Sequence, residues 1–163
     1  MKPTTTEILT EGLIAGLIGY LCTAIFFMAA SVLAGKSPFH IAALLGGVLF
    51  YGLHDPSQIV VWPGVVLAYN GVHLIIFLLL GLIAAWLAYM SERGPEFWYI
   101  GLTLFILVLF HVYGIVQMFS EAFRAFIPVW VSFGGTFVAS IAMAAYLLWA
   151  RPQLRVEVRE YRE

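Results

Sequence analysis

The chain has 163 residues, of which 63% are hydrophobic and 10% are charged, and its formal net charge is −1. Soluble domains carry about 25% charged residues, so water is excluded as the solvent for most of this protein's surface. We therefore expect an integral membrane protein with almost no water-soluble mass.

The charged residues are segregated along the chain. Four segments carry none of them: 12–35, 56–91, 97–120 and 125–150. Each is longer than the about 20 residues that a helix needs to cross the hydrocarbon core. Lipid offers the backbone no hydrogen-bond partner, which favours helices over an open sheet. The sequence predicts an all-α integral membrane protein with a single domain over 1–163. Its four transmembrane helices are predicted over about 9–34, 62–90, 97–120 and 126–150.

The first predicted span could be confused with a secretory signal, because small residues end it. Glu7 and Glu11 precede it, however, and its apolar stretch is too long for a signal, so we expect a retained span. Cys22, the single cysteine, lies inside this span. An intrachain disulfide is therefore excluded.

A shorter apolar segment follows the first span, and we predict a helix over about 38–52. Ser37 and Pro38 favour a helix start as N-cap and first helical residue, and Gly52 favours a stop. Such a helix would be about 20 Å long, shorter than the about 30 Å hydrocarbon core. We expect it to be re-entrant or interfacial. A fifth span is the alternative, and it would place the two termini on opposite sides.

Lysine and arginine predict the orientation of the spans, because they accumulate in cytoplasmic loops. With four spans, only Lys36 and Arg124 share one side of the membrane. The other six share the opposite side: Lys2, Arg93, Arg151, Arg155, Arg159 and Arg162. We therefore expect both termini and the tail over 151–163 in the cytoplasm, in a bacterial inner membrane. This count also disfavours a fifth span.

Small residues recur at helical spacing on two of the predicted spans. On the first span they are Gly12, Gly16, Gly19 and Thr23, and on the fourth they are Ser132, Gly135, Ala139 and Ala142. Such stripes allow helix backbones to approach closely, and dispersion then stabilises the contact. The pattern predicts packing surfaces, either within the bundle or against another subunit.

Two histidines are predicted at membrane depth. His73 and His111 would lie at one level on antiparallel spans, about 14–16 Å below the outer end. Two facing imidazoles can ligate a b-type haem, so both residues are candidate cofactor-binding residues for haem b or a quinone. The competing interpretation is an interhelical hydrogen-bonding role, for which the available partners are Tyr69, Asn70, Tyr113 and Gln117. Hydrogen bonding is the more common role of such histidines.

A second group of polar residues is predicted on the outer side, namely His40, His54, Asp55 and Glu121. Imidazole and carboxylate can bind zinc or copper, but these positions follow no established ligand spacing. Asp55 precedes a proline, which is typical of a turn. We therefore predict ordinary loop polarity and no metal site.

No nucleophile elbow, phosphate loop or metalloprotease motif is present, so we expect no autonomous catalytic activity. The predicted function is that of an accessory subunit in a larger energy-transducing complex, respiratory or photosynthetic. We expect membrane lipids and other membrane protein subunits as partners, and no nucleic acid. The first alternative is a haem-binding electron-transfer subunit that uses His73 and His111. A small channel or transport accessory protein is the second alternative.

Overall fold

A computed structural model describes residues 4–91 and 127–152, and every regular element in this part of the chain is helical. The helices are α1 (Thr5–Leu33), α2 (His40–Tyr51), α3 (Pro63–Ser91) and α4 (Val129–Ala150), with a 3-10 turn at Pro56–Gln58. Three of them, α1, α3 and α4, are long and apolar enough to cross a membrane. The predicted span over 97–120 and the tail after 152 lie outside the described residues.

Helix α1 begins four residues before the predicted span, in a polar turn. The Thr4 hydroxyl accepts the backbone N–H of Glu7, and the Glu7 carboxylate accepts that of Thr4 at 2.7 Å. This capping box satisfies two backbone donors that a helix start leaves without partners. The length of the apolar run therefore underestimates the length of α1, because capping extends this helix beyond the segment that fits the bilayer.

Helix α2 confirms the predicted short helix but begins two residues later than expected. Ser37 is not its N-cap: the Ser37 carbonyl accepts the His40 N–H, so Ser37 and Pro38 form a turn before the helix. The predicted stop is correct. Gly52 has φ +60°, and the next N–H, of Leu53, bonds to the Gly47 carbonyl at 3.1 Å. Glycine adopts this left-handed conformation without a steric penalty, which explains the end of α2.

Helices α1 and α3 pack antiparallel through glycines. Along α1, Gly12 lies against Leu82, Gly16 lies against Phe77, and Tyr20 lies near Asn70. A Cβ atom on Gly12 would lie 2.7 Å from the Leu82 Cα. On the opposite helix, a Cβ on Gly81 would overlap the backbones of Gly12 and Gly16. The predicted small stripe on α1 is therefore confirmed as a packing surface, and it is used inside the chain.

Helix α4 also runs antiparallel to α1. Three contacts define this direction: Glu11 with Arg151, Gly19 with Met143, and Thr23 with Gly135. On the predicted stripe of α4, Gly135 and Ala139 are buried, whereas Ser132 and Ala142 are only half-buried. The buried line of α4 is continued by Val131, Met143 and Leu147. Small residues thus form the centre of this contact, and larger apolar residues form its two ends.

The antiparallel contacts define two ends of the bundle. At the Glu11 end, α1 begins and both α3 and α4 finish. At the α2 end, α1 finishes and both α3 and α4 begin. Helix α2 packs there: Ile41 shares an apolar cluster with Ala30 of α1, and Gly46 lies against Val65 of α3. Helix α2 therefore connects the end of α1 to the start of α3 at this one end of the bundle.

Candidate functional site

A polar cluster lies between α1 and α3. The Tyr20 hydroxyl donates a hydrogen bond to Asn70 Oδ1 at 3.0 Å, and the Asn70 amide donates to the Val66 carbonyl at 2.8 Å. Asn70 therefore links two helices and also satisfies a backbone acceptor on its own helix. Polar groups in a membrane interior need such partners, because lipid supplies none.

His73 belongs to the same cluster and is buried, with 8% of its surface exposed. It lies 10 residues after the start of α3, which places it about 15 Å along the helix, near the predicted depth. Its Nδ1 is 3.3 Å from the Tyr69 hydroxyl, one turn earlier on α3. The Tyr69 hydroxyl was one of the predicted partners of this imidazole.

Aromatic rings surround the His73 imidazole. Tyr69 stacks on it with ring centroids 5.2 Å apart, and Phe77 meets it edge-on at 5.0 Å. From α1, the rings of Tyr20 and Phe27 lie at 6.3 Å and 6.4 Å. The imidazole thus packs within the α1–α3 interface, and these contacts resemble a hydrophobic core with one polar pair.

Haem ligation would place a further demand on the surroundings of His73. An axial imidazole needs its iron about 2 Å from the ligating nitrogen and a flat macrocycle beyond it. Two rings of α1 and two rings of α3 lie beside the His73 imidazole, and haem ligation by this residue stays a prediction. His111 lies outside the described residues, and its pairing with His73 stays a prediction.

The group of polar residues predicted on the outer side includes a loop turn at Asp55. The Asp55 carboxylate accepts the Ser57 N–H at 2.9 Å, and these hydrogen bonds hold the pKa of Asp55 below its ordinary value. Burial lowers the pKa of His40, and the nearby charge of Lys36 lowers it further. Within 4–91 and 127–152, no group of three or more histidine, cysteine, aspartate or glutamate side chains could hold a metal ion. Glu121 lies outside these ranges.

An ion pair lies at the Glu11 end of the bundle, and it was not among the predicted sites. Arg151 Nε donates to Glu11 Oε2 at 2.6 Å, and the Arg151 guanidinium lies 5.9 Å from the Tyr89 ring centroid. The arginine is 4% exposed and the glutamate 21%. The sequence contains a signal for this ion pair, since Glu11 and Arg151 each border a charge-free segment. Their pairing required the antiparallel order of α1 and α4.

The described part of the chain is all-helical, and three of its helices are long and apolar enough to cross a membrane. Comparison with protein-family models, curated proteins and solved structures gives no match.

Proposed function

We propose that this chain is a non-catalytic subunit of a larger membrane assembly, where it contributes structure and contacts to lipids and partner subunits. One observation supports this proposal most directly. At membrane depth, the hydrogen bonds of Tyr20, Asn70 and Tyr69 join α1 to α3 or connect side chains within α3. Groups used in this way stabilise helix packing and are not arranged around a substrate.

The outer faces of the long helices fit the same role. Less than a third of the most apolar window of α1 and of α4 is buried, with 28% in each case. Large apolar side chains such as Ile25, Phe137 and Trp149 are more than half exposed. Lipid tails or apolar helices of other subunits are the surroundings that such faces require.

Within this class, we propose an energy-transducing respiratory or photosynthetic complex as the setting. The support is chemical: His73 and His111 both lie within predicted spans, and imidazoles at membrane depth can ligate redox cofactors. The haem-ligand alternative depends on His111, and the channel alternative has no supporting contact among the described residues.

The proposed topology has four spans with α2 as a re-entrant or interfacial helix. The antiparallel order supports it, because α2 joins the end of α1 to the start of α3 at one end of the bundle. Helices α3 and α4 are both antiparallel to α1, so Ser91 and Ile127 belong to opposite ends of the bundle. A connection between them must cover the length of α3, about 43 Å for 29 residues. The predicted span over 97–120 would make that crossing.

The proposed orientation places both termini in the cytoplasm of a bacterial inner membrane. It rests on the arginine count of the sequence, in which six of eight basic residues share one side. The contact between Glu11 and Arg151 supports a shared side, since it brings the starting part of α1 to the end of α4.

Native mass spectrometry of membranes extracted in mild detergent tests the proposal. We expect the chain in complexes with other membrane subunits, and chemical crosslinking before extraction should capture the same partners. A chain that is monomeric under both conditions and catalytically active alone would contradict the proposed role.

A further inference from the structure

The pair formed by Glu11 and Arg151 is unusual in where it lies. Glu11 is six residues after the start of α1, about 9 Å along the helix, and Arg151 is the residue that ends α4. An arginine at a helix end in a membrane protein can extend its side chain to the headgroups and water. Arg151 instead points inward, with 4% of its side chain exposed.

The surroundings of Arg151 involve all three long helices. Its Nε bonds to Glu11 of α1, its guanidinium lies over the Tyr89 ring of α3, and its backbone N–H bonds to the Leu147 carbonyl of α4 at 3.0 Å. Burying a charge is costly unless an opposite charge and hydrogen bonds compensate. The carboxylate of Glu11 supplies that compensation only while the end of α4 stays against α1.

We propose that the Glu11–Arg151 pair is a latch that holds the end of α4 against α1 and α3 and so closes the bundle at the Glu11 end. At the α2 end, the described residues Val131 of α4 and Ala30 of α1 belong to one apolar cluster. The latch also holds together two parts of the chain that are 140 residues apart in sequence. This inference does not depend on the proposed function.

Hydrogen exchange of the full chain in lipid nanodiscs tests the latch. The variants Glu11→Gln and Arg151→Met each remove one charge of this pair and break the Glu11–Arg151 contact. We expect the amides of 147–151 to exchange about tenfold faster or more in each variant, as the end of α4 opens locally. The amides of 129–135, at the other end of α4, should keep the wild-type rate.

The matched control is Glu7→Gln, which removes a negative charge one turn away on the same helix. Glutamine keeps an acceptor for the Thr4 N–H, so exchange over 147–151 should stay within about twofold of wild type. Equal exchange rates in Glu7→Gln, Glu11→Gln and Arg151→Met would overturn the proposal.

The double variant Glu11→Gln/Arg151→Met measures the coupling. Removing both charges leaves neither buried alone, so its exchange should be slower than in either single variant. Additive effects of the two changes would overturn the proposal.

If a single variant does not insert into the membrane, wild-type exchange over 147–151 remains decisive. We expect it to be slower than exchange over 5–10, the first turns of α1, and equal rates would overturn the latch.

Discussion

At the scale of single residues, the polar groups of this protein differ in what they stabilise. Asn70 and Tyr20 join two helices at membrane depth, whereas Asp55 organises an exposed loop turn. Thr23 bonds only to the Gly19 carbonyl one turn earlier. Interhelical bonds contribute to tertiary stability, and bonds within one helix mainly satisfy a polar group that lipid cannot.

We expect Tyr20→Phe to reduce the free energy of unfolding in detergent by about 0.5–1.5 kcal/mol, because it removes the hydrogen bond to Asn70 and keeps the ring. Reversible unfolding in mixed micelles measures this change. Tyr51→Phe is the control, since Tyr51 is 60% exposed, and should change stability by less than about 0.5 kcal/mol. Equal effects in the two variants would show that the Tyr20 hydroxyl contributes nothing.

We expect the stability of the loop around Asp55 to decrease at acidic pH. Hydrogen bonds from Ser57 and Gln58 hold the pKa of Asp55 below its ordinary value of 3.8. Because the folded pKa is lowered, the carboxylate stabilises the loop above pH 3.8, and this contribution is lost as the pH falls through the folded pKa. Carbon-13 NMR of labelled Asp55 should give a pKa below the ordinary value. A value at or above it would contradict the loop geometry.

At the scale of helices, close backbone approach determines which elements pair. Gly12, Gly16 and Gly81 allow α1 and α3 to touch along their backbones, as apolar packing inside a membrane requires. A GxxxG stripe such as Gly12 to Gly16 is commonly interpreted as a dimerisation surface between chains. Here α3 of the same chain occupies it.

The variant Gly81→Ala should destabilise the bundle by about 1–3 kcal/mol, because its Cβ would overlap the backbones of Gly12 and Gly16 and separate the helices. Gly71→Ala on the same helix is the matched control, since a Cβ there meets nothing within 4 Å. It should cause no loss of stability. The same unfolding assay compares them, and equal losses would show that the glycine contact does not determine packing.

At the scale of the whole molecule, the order of the helices determines which chain ends meet. Helices α3 and α4 are antiparallel to α1, and the Glu11–Arg151 contact lies where α1 begins and α4 ends. An even number of spans gives this arrangement, and a spanning α2 does not. The Glu11–Arg151 contact brings these two ends together, and the side of the membrane on which they lie stays a prediction from the basic residues.

Accessibility labelling in intact cells tests this topology. In a Cys22→Ser background, cysteines at positions 3 and 160 should both label from the cytoplasmic side, because four spans return the chain to its starting side. A cysteine at position 54, in the exposed loop before α3, serves as the control and should label from outside. Opposite labelling of positions 3 and 160 would require a fifth span.

The sequence by itself determined the helical class, the three helices that are apolar and long enough to cross a membrane, and most bounds of the described helices. These properties depend on local composition, so the start of α3 at Pro63 and the stop at Gly52 follow from neighbouring residues. The errors lie at helix starts, where the capping of Thr4 extends α1 and the Ser37 turn delays α2. Helix α4 begins at Val129, three residues after the predicted 126, because Pro128 is its N-cap. Turn geometry and capping depend on hydrogen bonds that a hydropathy pattern does not contain.

The position of His73 along α3 was predictable, because helix rise converts sequence position into distance. Three contacts were decided only by the tertiary structure. Rings of α1 surround His73, Gly81 packs against Gly12, and Glu11 pairs with Arg151. Each of these contacts joins residues on different helices. Their formation depends on helix rotation and on the antiparallel order, which side-chain packing sets across the whole bundle and no local pattern specifies.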